Sequence, residues 1–199
     1  MGLLHELTMA TILVRIVAAL LFAAIAGGLL TAFLRLFGDL GARDAGRLTA
    51  QPFAHVTLSG IFLAIAFRTS WIAPVPIAPV PGRDLRPLAA VVCTMAAMLA
   101  LVPLLDLLRP GLHAGLPLAV GYSALALIDV LQIILVSSTV LGLLPLPGLL
   151  MGMAVAGMFP GLRKKWRKWT GYGLSLAAIM LILGWFPDVM PLVRVLRLV

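Results

Sequence analysis

Four apolar stretches, at about 9–34, 88–107, 116–141 and 171–185, constrain this chain more than any other feature. About 20 consecutive apolar residues cross a bilayer as a helix. Inside hydrocarbon the backbone must satisfy its own hydrogen bonds, so such stretches become helices. Composition agrees: 62% of the 199 residues are hydrophobic and 11% charged, where soluble domains are about a quarter charged. The expectation is an all-α polytopic membrane protein. It forms a single integral membrane domain over 1–199, with about four full spans plus re-entrant or broken elements.

A net charge of +8 would point to nucleic acid in a soluble protein. Here the cations lie between apolar stretches, where they set topology by accumulating on cytoplasmic loops, so no nucleic-acid partner is expected. Six arginines (35, 43, 47, 68, 83 and 86) fall in a loop and interfacial segment, 35–87. Arg163, Lys164, Lys165, Arg167 and Lys168 form a second cluster, flanked by Trp166 and Trp169. Basic residues beside a membrane helix, with tryptophans at headgroup level, point to lipid headgroups. Both clusters lie on one side if the proline-led segment 143–158 enters and leaves without crossing. Both chain termini then face away from the cytoplasm.

The 9–34 stretch is long for a signal-peptide core and is expected to be a full span, with Arg15 snorkelling at one end. Gly27 and Gly28 suit close helix approach. The segment 35–58 reads as loop with short strands, and 59–67 is apolar but too short to span. Prolines 74, 76, 79 and 81 favour an extended course for 70–82. Cys93, the lone cysteine, reads as a small core residue.

Asp129 sits mid-span with Gln132 three residues on. A carboxylate at the bilayer centre costs about 3 kcal/mol on insertion scales and marks a functional hypothesis. The readings are structural hydrogen bonding to Gln132 or a neighbouring helix, pairing with Arg15, proton or ion conduction, or contact with a partner subunit. Asp106 is expected to pair with Arg109. The histidines, 5, 55 and 113, lie outside the centres of the clear spans, so no haem or pigment cofactor is expected. His5-Glu6 begins like a zinc motif, but the residue four after His5 is Met9.

Gly38-Asp39, Gly46-Arg47-Leu48-Thr49, Pro52, His55 and Gly60 occur in an ordered pattern. Trp71-x-x-Pro74-Val75-Pro76 follows, then GLLPLPGLLMG from Gly142 to Gly152. Together these blocks resemble short bacterial site-2 proteases, intramembrane zinc enzymes of the cytoplasmic membrane. Gln51 and Thr57 depart from the family's Asn and Asp, and Ser70, Ala73 and Ala78 from its Gly, Lys and Asn. The resemblance implies a site-2-protease-like core with a His-Glu-x-x-His motif in the first span and an Asp in the later block. Carried over by position, the His sites are Ala26 and Leu30, the Glu site is Gly27, and the Asp site is Leu150, followed by Met151. The polar substrate-positioning Asn falls at Gly142.

None of these side chains binds zinc or moves a proton, so catalytic and metal residues are both expected to be absent. The expectation is a catalytically inactive homologue serving as a binding, accessory or assembly subunit of a larger membrane complex, respiratory or photosynthetic. Its partners would be other integral membrane subunits and membrane lipids. Two alternatives stay open: an active metalloprotease with displaced ligands, or a small transporter using Asp129.

Overall fold

The computed structural model describes residues 8–78 and 84–197. His5, Glu6, Pro79, Pro81 and Arg83 lie outside the described residues. Helices α1 (Met9–Leu36), α2 (Gly41–Asp44), α3 (Leu58–Phe67), α4 (Arg86–Leu107) and α5 (Arg109–Gly115) are followed by α6 (Leu118–Gly142). Then come α7 (Leu150–Met158), α8 (Pro160–Ile182) and α9 (Met190–Leu196). Among the described residues there is no strand, so the short strands expected in 35–58 are replaced by α2 and a 3₁₀ turn at Pro52–Ala54. The physical reason is local: Gly38 and Gly46, both at positive φ (84° and 68°), bracket a single helical turn, and Pro52 starts another.

Helix α1 is capped by Thr8, whose hydroxyl accepts from the Thr11 amide while Thr11 reaches back to the Thr8 N–H. Its buried residues recur as Arg15, Ala18, Ala19, Phe22, Ala23 and Ala26, and onward through Gly27, Leu30, Thr31 and Leu34. That three-and-four spacing makes one continuous stripe, and its small residues admit close neighbours. α1 packs on α4 and α6, and these two pack on each other. The interior between them is filled by Leu30, Met98, Val102, Ile134 and Leu135. Leu13, Val17 and Leu21 stay exposed on the outer face of α1.

Among the described residues, three helical stretches are long and apolar enough to cross a membrane: α1, α4 continued by α5 (Arg86–Gly115), and the Val120–Gly142 part of α6. Of the stretch expected as a fourth span, 171–185, residues up to Ile182 form the second half of α8, whose first half carries the basic cluster, and 183–185 lie past its end. The segment 143–149 is turn and loop, and leads into the nine-residue α7.

Arg15 does not snorkel. It is buried, and Nη1 donates to the Ile65 carbonyl near the end of α3, beside a cavity of about 300 Å³ that Arg68, Ser137 and Asp188 also line. A guanidinium within apolar surroundings requires such carbonyl partners. Gly27 and Gly28 serve a loop rather than a helix: their open sides face His55 and Ala50.

Candidate functional site

The segment 69–78 runs extended through the interior and organises the site. It is held at each step. The Ser70 amide donates to Ser138 Oγ (2.8 Å) on α6, and Ser70 Oγ donates to the Gly60 carbonyl (3.1 Å). The Trp71 indole donates to Ser59 Oγ (3.1 Å), and the Ala73 amide to the His55 carbonyl (2.7 Å). Val75 is buried between exposed Pro74 and Pro76, the two-residue alternation of an extended chain. Its amide approaches Met153 Sδ at 3.3 Å.

The loop residues of the family-like pattern clasp this segment. Arg47 Nη1 donates to the Pro74 carbonyl (2.6 Å) and Nη2 to that of Ala54. The buried Asp39 carboxylate accepts from the Ala78 amide (3.0 Å) and the Gly41 amide (2.8 Å). Gly41 lets the backbones meet, since a β-carbon there would lie 2.5 Å from the Ala78 nitrogen. Pro52 opens the 3₁₀ turn, and its carbonyl accepts from the His55 and Val56 amides. Gly60 lies against the Trp71 carbonyl, 2.7 Å from where its β-carbon would sit.

His55 is fully buried. Its Nε2 lies 2.8 Å from the Thr49 carbonyl, an acceptor, so Nε2 carries the proton. Nδ1 is buried with no hydrogen-bond partner among the described residues. Burial is the main reason the imidazole pKa falls below its ordinary value; the Thr49 carbonyl opposes this and the Arg47 charge reinforces it. The ring lies where a side chain at Gly27 would project: a β-carbon there would be 2.1 Å from Cγ and 2.4 Å from Nδ1.

Ala26, Gly142 and Leu150, assigned from three separate places in the sequence, line one small cavity with Phe22, Trp71 and Ile72. Its volume is about 10 Å³, at the lower limit for one water. Leu30 is buried in the adjoining core. A β-carbon on Gly142 would lie 3.1 Å from Leu150 Cδ1 and from Met95 Cε, so the Leu150 side chain fills the space that an asparagine there would need. Methyl, isobutyl and hydrogen substituents offer a zinc ion no lone pair, so these four positions do not fit the metal that the family resemblance implies. Among the described residues no three His, Cys, Asp or Glu side chains are grouped to hold a metal. Cys93 is half-buried on α4 and His113 sits on α5.

The polar residues of α6 form a second constellation. The expected Asp106–Arg109 pair is present, with Arg109 Nε donating to Asp106 Oδ1 at 2.8 Å. Arg109 Nη2 also donates to Asp129 Oδ1 (2.7 Å) and Gln132 Oε1 (2.8 Å). The Gln132 amide donates to Asp106 Oδ1 (2.7 Å) and the Val102 carbonyl (2.9 Å). Pairing of Asp129 with Arg15 is thereby corrected: its partners are Arg109 and Arg197, the latter 3.0 Å away at the end of α9. Sequence spacing gives no hint of Arg197, which reaches Asp129 only because α9 folds back onto α6. Two acids and two arginines make the cluster formally neutral, which low-polarity surroundings favour.

The basic cluster lies on the first half of α8. Arg163 Nη2 donates to the Ala78 carbonyl (3.1 Å), tying this helix to the same extended segment.

Comparison with family models, curated proteins and solved structures finds no match to this chain.

Proposed function

We propose that this chain is a degenerate site-2-protease-like protein of the bacterial cytoplasmic membrane that works without catalysis. In this reading it binds other integral membrane subunits as an accessory or assembly component of a larger complex, respiratory or photosynthetic. One observation carries the reading. Two positions expected to hold zinc ligands, Ala26 and Leu150, line one small cavity with Gly142 and hold packing side chains, while Gly27, the position of the general base, faces His55 and Leu30 is buried in the core. His55 fills the Gly27 side, while Leu150, Ala26 and Gly142 close a cavity of about 10 Å³.

The surrounding frame supports it. Asp39, Arg47, Gly41 and Gly60 contact the 69–78 segment, and Gly38, Gly46 and Pro52 shape the loop that carries the first three. A shape kept in this way without reactive groups is suited to holding another chain. The exposed apolar residues of α1, α6 and α8, such as Leu21, Leu118 and Leu176, offer helix-packing surface.

Extraction of native membranes in mild detergent tests the proposal. The chain is expected to leave the membrane with other integral subunits at a fixed ratio. A clean monomer that cleaves a transmembrane peptide would overturn it.

A further inference from the structure

The extended segment, α7 and the first half of α8 enclose a groove of about 560 Å³, within the usual range for a small-molecule site. Its walls are chemically divided. Val75, Ile77, Met153 and Ala156 make an apolar floor, and Arg163, Lys164 and Arg167 stand along one side. These three cations come from a helix with no acidic residue in its first turns. Arg163 is pinned by its bond to the Ala78 carbonyl, so its charge is held in place. Trp166 also lines the groove, and its indole N–H is buried with no acceptor among the described residues. The exposed Trp169 and Tyr172 follow on α8, then the exposed apolar Leu176, Ile179 and Ile182. This is the order of residues met on passing from headgroups into acyl chains.

We infer that this groove is a binding site for a single anionic phospholipid of the surrounding leaflet. The phosphate sits against Lys164, Arg167 and the fixed Arg163, and an acyl chain lies over Val75 and Ala156. A free phosphate would leave the apolar floor uncovered, and a zwitterionic lipid would bring its own cation to a wall that already carries Lys164, Arg167 and Arg163, of which Arg163 also feels Asp84. Diffuse attraction to an anionic surface would use all five basic residues alike. The groove uses only those on one face: Lys165 and Lys168 are on the same helical segment but do not line it.

That difference supplies the test. The purified full chain in mild detergent is equilibrated with phosphatidylglycerol or phosphatidylcholine, and retained lipid is counted by native mass spectrometry. One phosphatidylglycerol is expected to be retained in preference to phosphatidylcholine. Lys164→Gln/Arg167→Gln should weaken retention by about tenfold or more, whereas Lys165→Gln/Lys168→Gln, with the same change in charge, should leave it unaltered. Ala156→Phe keeps every charge, fills the floor and should also expel the lipid. An unchanged thermal midpoint excludes misfolding as the cause. Equal loss in the two double variants would overturn the inference, as would equal retention of the two lipids. Displacement by glycerol phosphate at concentrations comparable to the lipid would also overturn it, since the site would then recognise the headgroup alone.

Discussion

The imidazole of His55 occupies the volume of the side chain that Gly27 lacks, with Cγ 2.1 Å from where that β-carbon would be. Two residues 28 positions apart are thus fitted to each other: a catalytic glutamate at 27 and a histidine in this pose at 55 are mutually exclusive.

Gly27→Ala should therefore be disproportionately harmful. Overpacking a close-packed interior costs about 1–3 kcal/mol, occasionally more, and an overlap with ring atoms belongs at the upper end. Combining it with His55→Ala should recover more than about 1 kcal/mol of the summed losses, as expected for residues in direct contact. Unfolding of the two single variants and the double variant in detergent measures this coupling. Strict additivity would mean that the two sites are independent.

The buried neutral imidazole predicts a pH dependence. Its pKa is lowered in the folded state, whereas the unfolded chain binds a proton near the ordinary value of about 6.5. Below that pH the unfolded state takes up more protons, so stability falls as pH drops and is flat above it. Comparing unfolding midpoints of the wild type and His55→Gln between about pH 7.5 and 5 isolates the effect. The acid-side decline should be smaller in the variant.

The two carboxylates of the polar cluster should respond differently. The Asp106 side chain is 1% exposed and that of Asp129 42%. Breaking a buried pair costs about 3–5 kcal/mol because it leaves a charge unpaired, and Asp106 is the acid that the rest of the chain encloses, held by Arg109 and Gln132. Asp106→Asn should thus be the more destabilising substitution in a detergent denaturation series. If Asp129 is structural, Asp129→Asn should leave ion flux in proteoliposomes at the wild-type level.

Arg47 binds two carbonyls from different parts of the chain, a task that suits the planar guanidinium fork. Arg47→Lys keeps the charge but loses that geometry, at a cost of about 1–3 kcal/mol. Limited proteolysis should then cut the 41–57 loop sooner than in the wild type.

Helices α1, α4 and α6 were legible from uninterrupted apolar length, which is a local property. The extended course of 70–78 was legible from proline density, and the Asp106–Arg109 pair from helical spacing. Other features were not. Arg15 looked like a terminal snorkelling residue because nothing local announces the Ile65 carbonyl 50 residues away. The loop 35–58 invited strands, whereas two left-handed glycines made a helical turn cheaper. Asp129 met Arg197 only through the return of α9. The convergence of Ala26, Gly142 and Leu150 was implied by the family resemblance alone, because apolar residues carry no local sign of sharing a cavity. The cationic groove was half legible: charge and tryptophan pointed α8 toward headgroups, but half of the apolar floor, Val75 and Ile77, comes from about 90 positions earlier.

Packing, not metal chemistry, is what we propose for the positions Ala26, Leu30 and Leu150. The zinc content of the chain isolated from native membranes, measured per chain for the wild type and His55→Ala, tests it most directly. No stoichiometric zinc is expected in either protein. About one zinc per chain in the wild type, lost on substituting His55, would contradict it.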